Sequence, residues 1–325
     1  MNNVGILSVG KYVPKRVVTN ADLEKMVDTS NAWIVARTGI RQRRVAEKHE
    51  RSSHMAIHAA RKALHNAKLD PHKVELIVVA TTTPDSAFPS VACLVQKALH
   101  NKIAAAFDVS AACSGYLYAM TTAKKFIEAG MYKNALVIAV DKFTNILDWN
   151  DRATCVLFGD GAGACVLGPV RGKRGVLSDF LLAHGEFGPL MAVIAEDREP
   201  LSQKDNTVRA PYVIMRGPEL FKIAVNSMSE AVAVAVKRAK LKISDIDIVV
   251  PHQANDRIIS AVAKKLKIPK GKFFINIEKY GNMSAAAIAV ALYEAVEKKR
   301  IKRGTNVVLV TFGAGLVSAA NVVRW

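Results

Sequence analysis

Ala105-Ala106-Phe107-Asp108-Val109-Ser110-Ala111-Ala112-Cys113-Ser114-Gly115 is the stretch whose reading decides the fold. Ala105 to Val109 has strand character, a turn of small residues follows, and Ser114 to Ala129 reads as a helix. Cys113 therefore stands where a strand hands over to a helix N-terminus, beside side chains too small to block a substrate. There the helix macrodipole favours a thiolate, which lowers the thiol pKa and makes it a nucleophile. Thioester exchange needs such a thiolate, because the acyl-enzyme conserves the energy of the thioester. Taken alone, a buried structural cysteine is the better reading, and Cys93, Cys155 and Cys165 are read as structural.

Outward from this segment, apolar β-branched runs alternate with Ala-rich helical stretches, the pattern of a layered α/β fold. Leu76 to Ala80 reads as a buried strand upstream and Ala135 to Val140 as another downstream. The same events recur later. Ile246 to Val250 is a strand, Phe273 to Ile277 another, Ser284 to Lys298 a helix and Val307 to Thr311 a closing strand. Val79 and Val250 are 171 residues apart, Cys113 and Asn282 169, Ile138 and Leu309 171. Landmarks at nearly one offset suggest an internal duplication. The halves run over residues 1–169 and 170–325, joined by a Gly-rich basic connection from Gly168 to Gly175. Glu196 to Pro211, polar with two prolines, is the expected long exposed loop.

The second half places two more polar side chains at strand ends. His252 follows Val249-Val250-Pro251 in a His-Gln-Ala-Asn turn, at the sheet edge where ligands bind in open α/β folds. It can serve a reacting carbonyl as donor or acid/base, or simply satisfy a cap, with little to choose between the two. Asn282, in Tyr280-Gly281-Asn282-Met283-Ser284, is ordinary turn and N-cap chemistry. Its amide can also donate to an oxyanion beside His252, and the duplication gives it the place that Cys113 holds in the first half. A cysteine, a histidine and an asparagine suffice for decarboxylative carbon–carbon bond formation if the fold unites them. Gly159 to Ala164 is G-x-G-x-G before an apolar strand, which reads as close backbone packing rather than a dinucleotide loop. The amides of Phe312-Gly313-Ala314-Gly315 can complete an oxyanion hole, and a plain turn fits equally well.

Composition narrows the partners. Half of the 325 residues are hydrophobic, and the longest apolar run, Ser284 to Val296, is too short to span a bilayer. With no signal-peptide pattern, the protein is expected to be soluble and cytoplasmic, without a membrane partner. The four cysteines make no C-x-x-C pair and no zinc spacing, and His54 and His58 read as a solvated helix face, so no metal is expected. The net charge of +18 calls for an anionic partner: nucleic acid, a phosphorylated cofactor or an acidic carrier protein all fit. The basic residues are scattered through 41–44, 171–174, 264–267 and 298–303 without interleaved aromatics, and no nucleic-acid-binding motif accompanies them. Much of this charge reads as solvated surface.

Together the cysteine, histidine and asparagine segments resemble those of β-ketoacyl-acyl-carrier-protein synthase III, the initiating condensing enzymes of bacterial fatty-acid synthesis. The likeness runs the whole length, through Thr19 to Glu24, Trp33 to Ile40, Ala87 to Ser90, Phe158 to Gly163 and Pro251 to Asn255. Elongating condensing enzymes carry two histidines where this chain has His252 and Asn282, as the initiating class does. The resemblance implies a thiolase-like α/β fold, duplicated βα halves in five layers α-β-α-β-α, as a homodimer. It implies that Cys113 takes the acyl group from acyl-coenzyme A, and that His252 and Asn282 hydrogen-bond malonyl-acyl-carrier protein while carbon dioxide leaves. Backbone amides of Cys113 and Ala314 would hold the oxyanion. No cofactor is implied, acyl-coenzyme A being a substrate, and no nucleic-acid partner.

Residue by residue, the resemblance gives Trp33 and Arg152 to the adenine of coenzyme A, Arg37 to its nucleotide, and Gly217, Phe221 and Asn255 to the pantetheine tunnel. Arg257, with Lys222, Lys264 and Lys265, looks like the dock for the acidic carrier protein. Phe88 resembles the residue that reaches across the dimer to close the acyl pocket. Two departures, Met283 after the asparagine and the stretch Gly315 to Ala319, are expected to line or abut that pocket. The alternatives are a same-fold condensing enzyme of secondary metabolism, making a quinolone or polyketide starter, and a non-catalytic nucleic-acid-binding protein of this fold.

Overall fold

The computed structural model describes residues 3–193 and 212–325, so the loop expected over Glu196 to Pro211 lies outside the described residues. One sheet contains β1 (Asn3–Tyr12), β2 (Leu76–Ala80), β3 (Ala105–Val109), β4 (Ala135–Lys142) and β5 (Asp160–Val170), in the order β1-β5-β4-β2-β3. The other contains β6 (Gly175–Ala183), β7 (Ile248–Pro251), β8 (Asn306–Gly313) and β9 (Val317–Arg324), in the order β6-β9-β8-β7. Each begins with two antiparallel pairings and continues in parallel. The strand order therefore repeats, as the offset between landmarks suggested.

The repeat is incomplete at one edge. Where β3 pairs with β2 in the first sheet, the second has only a parallel bridge between Val249 and Phe273. The strand expected over Phe273 to Ile277 does not form, and Ile277–Tyr280 is a helical turn instead. The buried Gln253 side chain is the reason: its amide donates to Phe274 O at 3.1 Å and its carbonyl accepts from Asn276 N at 3.0 Å. Backbone groups that would have continued a ladder are satisfied by a side chain.

The helices form three layers. Beyond α1 (Asn31–Thr38), α2 (Ser52–Ala67) and α3 (Val91–Ala98) cover the outer face of the first sheet. Helix α4 (Gly115–Glu128) lies between the sheets, α5 (Gly217–Arg238) and α6 (Asp256–Leu266) cover the second sheet, and α7 (Ala285–Glu297) joins α4 in the middle. The result is five layers, α-β-α-β-α. Every residue of β2 is buried, which explains its unbroken apolar run: a strand covered on both faces needs no alternation.

Small residues set the spacing of the middle layer. A Cβ on Gly163 would stand 2.5 Å from the Ala289 Cβ, so glycine in β5 lets α7 approach. The Gly159–Ala164 segment thus packs closely, as expected, although it forms the start of the strand rather than preceding it. Lys124 on α4 reaches Asp179 on β6 at 2.6 Å, and Asn321 on β9 donates to the same carboxylate at 2.8 Å. Arg43, expected among solvated charges, is fully buried and donates to Val18 O, Asn20 Oδ1 and Val156 O. Among the described residues no helix is long and apolar enough to cross a membrane.

Candidate active site

Strand β3 ends and a single 3₁₀ turn, Ala112–Ser114, carries Cys113 to the start of α4. Ala112 is held at φ +42°, a left-handed conformation that alanine reaches only at a cost, so the turn is strained where it presents the thiol. Gly313 at the end of β8 backs onto Cys113. A Cβ there would lie 2.7 Å from Cys113 N, so only glycine fits. Gly115 lets α4 start beside Ala80 for the same reason.

The electrostatics correct one expectation. Cys113 is only 3 % exposed, and burial pushes its thiol up to about 12 rather than down. The Asp141 carboxylate raises it further, while the Ser284 hydroxyl opposes both. A helix N-terminus contributes a partial charge, but desolvating a full thiolate costs more. At rest Cys113 is therefore a neutral thiol.

His252 directly follows β7, and its backbone N–H donates to Val310 O at 2.7 Å, continuing the parallel pairing with β8 by one bond. Gln253 donates to Pro251 O at 2.8 Å and turns the chain sharply behind it. Burial alone depresses the imidazole to about 3, so the ring is neutral across the physiological range. Its Nδ1 is buried without a hydrogen-bond partner among the described residues.

Asn282 is fixed from both sides of its backbone. Its N–H donates to Leu157 O at 2.9 Å, and its carbonyl accepts from Gly159 N at 3.0 Å. The preceding Gly281 has φ +63°, and a Cβ on it would meet Leu157 O at 2.8 Å. Asn282 Oδ1 accepts from Ser284 N at 2.9 Å, the local turn bond that the sequence suggested. That bond orients the amide and leaves its NH₂ with no protein partner among the described residues. Just beyond it, Ala285 N donates to Asp141 at 3.3 Å, and three threonines of the 81–83 loop donate to the same carboxylate. Asp141 thus ties the start of α7 to the loop after β2.

Cys113, His252 and Asn282 line one cavity of about 130 Å³, whose walls include Gly217, Phe221 and Asn255. A second cavity of about 250 Å³ begins on the far side of the thiol, among Thr82, Phe143, Ile146, Val213, Ser284 and Ala314. The two meet at Cys113. Trp33 and Arg152 form a preassembled pair, with the guanidinium 5.2 Å from the indole centroid, and Arg152 donates to Asp28 O at 2.7 Å. Ser30 caps α1 by accepting from Trp33 N, which fixes where Trp33 and Arg37 emerge. Asn255 does structural work beside the cavity: its side chain caps α6 through Arg257 N and donates to Arg37 O.

Arg257 stacks over Phe221 at 5.7 Å, with Lys222 exposed on α5 and Lys264 and Lys265 exposed on α6, so the four cations share two adjacent helices. Phe88 lines neither cavity within one chain and is 87 % exposed. Met283, expected to line or abut the acyl pocket, lines neither cavity and packs in a cluster with Tyr280, Ala286 and Val290, against Gly161, one residue from Ser284 in the wall of the second cavity. The stretch from Gly315 to Ala319 lines neither cavity. Cys155 and Cys165 are buried as expected, but Cys93 is exposed. His54 and His58 share α2, with His58 stacked on Tyr12, and no metal-binding group of His, Cys, Asp or Glu occurs among the described residues. Asp141 and the apolar wall residues Phe143 and Ile146 were missed, since nothing local marks a residue that faces a cavity.

A cysteine, a neutral histidine and an asparagine converging between two repeated sheets point to a condensing enzyme of the thiolase-like fold. Comparisons with known proteins agree. Residues 107–185 match the family model for 3-oxoacyl-[acyl-carrier-protein] synthase III, and residues 236–325 match its C-terminal model. A beta-ketoacyl-[acyl-carrier-protein] synthase III of Symbiobacterium thermophilum is 49 % identical over 99 % of this chain and 98 % of its own length. That of Caldanaerobacter subterraneus is 47 % identical over 99 % and 97 %. The crystal structure of the Aquifex aeolicus 3-oxoacyl-[acyl-carrier-protein] synthase III superposes with a TM-score of 0.93 at 46 % identity, covering 99 % of this chain and 100 % of that one. A priming β-ketosynthase from the R1128 polyketide pathway superposes at 0.91 with 34 % identity, over 99 % and 96 %. The chain belongs to the beta-ketoacyl-[acyl-carrier-protein] synthase III family and is an acyltransferase of the condensing type.

Proposed function

We propose that the chain initiates fatty-acid synthesis by condensing a short acyl-coenzyme A, acetyl-coenzyme A foremost, with malonyl-acyl-carrier protein. The observation that carries this reading is the convergence of Cys113, His252 and Asn282 on one cavity that continues past the thiol into an apolar one. Cys113 Sγ attacks the thioester carbonyl, its proton leaves with the coenzyme A thiol, and an acyl-cysteine remains. The acyl chain occupies the apolar cavity, with the amides of Cys113 and Ala314 donating to the oxyanion.

Malonyl-acyl-carrier protein then enters by the cavity from which coenzyme A has left. Its carboxylate departs as carbon dioxide, and the electron pair of the broken bond becomes an enolate on the thioester. Neutral His252 and the Asn282 NH₂ donate to that oxygen. A neutral imidazole suits the role, since it offers an N–H without placing a full charge in a buried site. The enolate carbon attacks the acyl-cysteine, and the thiolate leaves to give β-ketoacyl-acyl-carrier protein. Trp33, Arg37 and Arg152 hold the nucleotide, and Gly217, Phe221 and Asn255 line the pantetheine path. Arg257 with Lys222, Lys264 and Lys265 receives the acidic carrier protein. In a homodimer, Phe88 of one copy closes the acyl pocket of the other, which accounts for its exposure in a single chain. The reaction uses no metal or redox cofactor, and the enzyme works in the cytoplasm.

A priming synthase of secondary metabolism is the second reading, supported by the whole-length likeness to the polyketide ketosynthase at lower identity. Intact-protein mass spectrometry after mixing with acetyl, straight medium-chain, branched and aromatic acyl-coenzyme A thioesters tests both. A gain of one acyl group, absent from Cys113→Ala, is the expected result, with acetyl or another short chain transferred fastest. Fastest transfer of an aromatic group would favour the second reading, and no adduct with any thioester would refute both.

A further inference from the structure

Part of the positive charge scattered along the sequence gathers on one face. Three turns, 237–247, 267–272 and 297–303, lead into β7, into the Phe273 bridge and into β8. They therefore sit together at the edge of the second sheet opposite to the one that carries His252 and Gly313. Hydrogen bonds stitch them into one surface: Arg300 donates to Gly271 O at 2.8 Å, and Asn306 N donates to Asp247 at 2.8 Å. Within these turns stand twelve lysines and arginines against three acidic residues, a net +9, half the excess of the whole chain. Eleven of the twelve are exposed.

The duplication supplies an internal control. The corresponding turns of the first half, 66–76, 99–104 and 128–134, lie at the same edge of its own sheet and hold four basic and three acidic residues, a net +1. Helices end at both edges, and cations favour helix C-termini, but the first half meets that need with four. Five of the twelve bond within the fold, Arg238, Lys272 and Arg300 to carbonyls, Lys270 to Asp256 and Lys298 to Glu294, and among the described residues the fold uses none of the other seven side chains in this way. The carrier-protein dock borders this edge through Lys264 and Lys265 in the last turn of α6, but its leading residue Arg257 starts α6 at the opposite end, where only Lys270 reaches back to Asp256.

We propose that this basic edge is a docking surface for an anionic lipid bilayer, which it meets with the active-site cavity turned away from the lipid. Nine of the twelve cations are lysines. Lysine is a strongly hydrated point charge suited to diffuse attraction by headgroups, whereas bidentate phosphate recognition relies on arginine. Of the three arginines, Arg238 and Arg300 spend their guanidinium groups on the carbonyls of Asp179 and Gly271. None of the large exposed hydrophobic residues falls in these turns, so there is no aromatic platform for single-stranded nucleic acid and no anchor for insertion. Adsorption is then purely electrostatic, reversible and sensitive to salt.

The test is co-sedimentation of the full chain with phosphatidylcholine vesicles, with and without about one third phosphatidylglycerol, at roughly 50 mM and 500 mM salt. Binding is expected to the anionic vesicles alone, and to vanish at high salt. Replacing Lys240, Lys267, Lys302 and Arg303 by Gln should lower the partition coefficient at least about a hundredfold. The same number of charges removed from the first half, by Gln at Lys68, Lys73, Lys102 and Lys133, should change it less than about threefold, and both variants should keep full acyl transfer to Cys113. Absence of binding to anionic vesicles at low salt overturns the proposal. Equal losses in the two variants overturn it too, because net charge rather than this face would then be responsible. Retention on duplex DNA or RNA without retention on vesicles overturns it in favour of nucleic acid.

Discussion

Raising the pH should unmask Cys113 gradually, with no plateau in the physiological range. Burial lifts its thiol from the ordinary 9.0 to about 12, three units, which corresponds to about 4 kcal/mol against the thiolate. At neutral pH the resting enzyme then holds about a thousandfold less thiolate than an ordinary thiol would. The assay is pseudo-first-order alkylation by iodoacetamide, followed by intact mass from about pH 6.5 to 9.5 in a Cys93→Ser background, because Cys93 is exposed and would react as well. The logarithm of the rate at Cys113, with Cys113→Ala as blank, should climb with unit slope, about a thousandfold over the window. Steric access scales every point alike and leaves the slope unchanged. A plateau below pH 9 would refute the reasoning, since it would mean that the α4 terminus and Ser284 outweigh burial in the resting state.

His252 should govern stability in acid. Its folded pKa of about 3 lies below the ordinary 6.5, so the stability linked to its neutral form is complete above pH 6.5 and is lost as the pH falls toward 3. Urea unfolding should show His252→Gln gaining about 2–3 kcal/mol relative to the native chain between pH 7 and 4.5; parallel losses in the two proteins would contradict this. Gly163→Ala puts a methyl group 2.5 Å from the Ala289 Cβ and 2.9 Å from its carbonyl carbon, so unfolding should come about 1–3 kcal/mol earlier, and an unchanged midpoint would show that α7 gives way freely. Trp33→Ala removes the indole under Arg152 and should raise KM for acyl-coenzyme A about tenfold while leaving the limiting rate of Cys113 acylation unchanged, by stopped-flow titration; a fall in that limiting rate alone would contradict a purely binding role.

Much of the architecture was legible without coordinates. Leu76 to Ala80 and Ala105 to Val109 form strands with the bounds their residues suggest: the first is an apolar, largely β-branched run buried throughout, the second a half-buried run that pairs beside it. The repeat of landmarks emerged as a repeat of strand order, and the three turns that bear Cys113, His252 and Asn282 were visible in their small and turn-forming residues. Phe273 to Ile277 was misread because the group that replaces its ladder is the side chain of Gln253, some twenty residues away. That Met283 turns into a core cluster was not legible, because its position beside Asn282 says nothing about which way its side chain points.

What the chain settles by itself is what near neighbours decide: where strands, turns and helix starts fall, and which reactive groups sit at them. Only the tertiary structure decided that a cysteine from one half and a histidine and asparagine from the other share a cavity, and that the cysteine rests protonated. The same holds for the lysines dispersed over residues 237–303, which become one face only when β7, β8 and the Phe273 bridge line up. The physical reason is common to all three. Desolvation and the summed field of charges depend on every group within several ångströms in space, and a linear sequence does not order its residues by that distance.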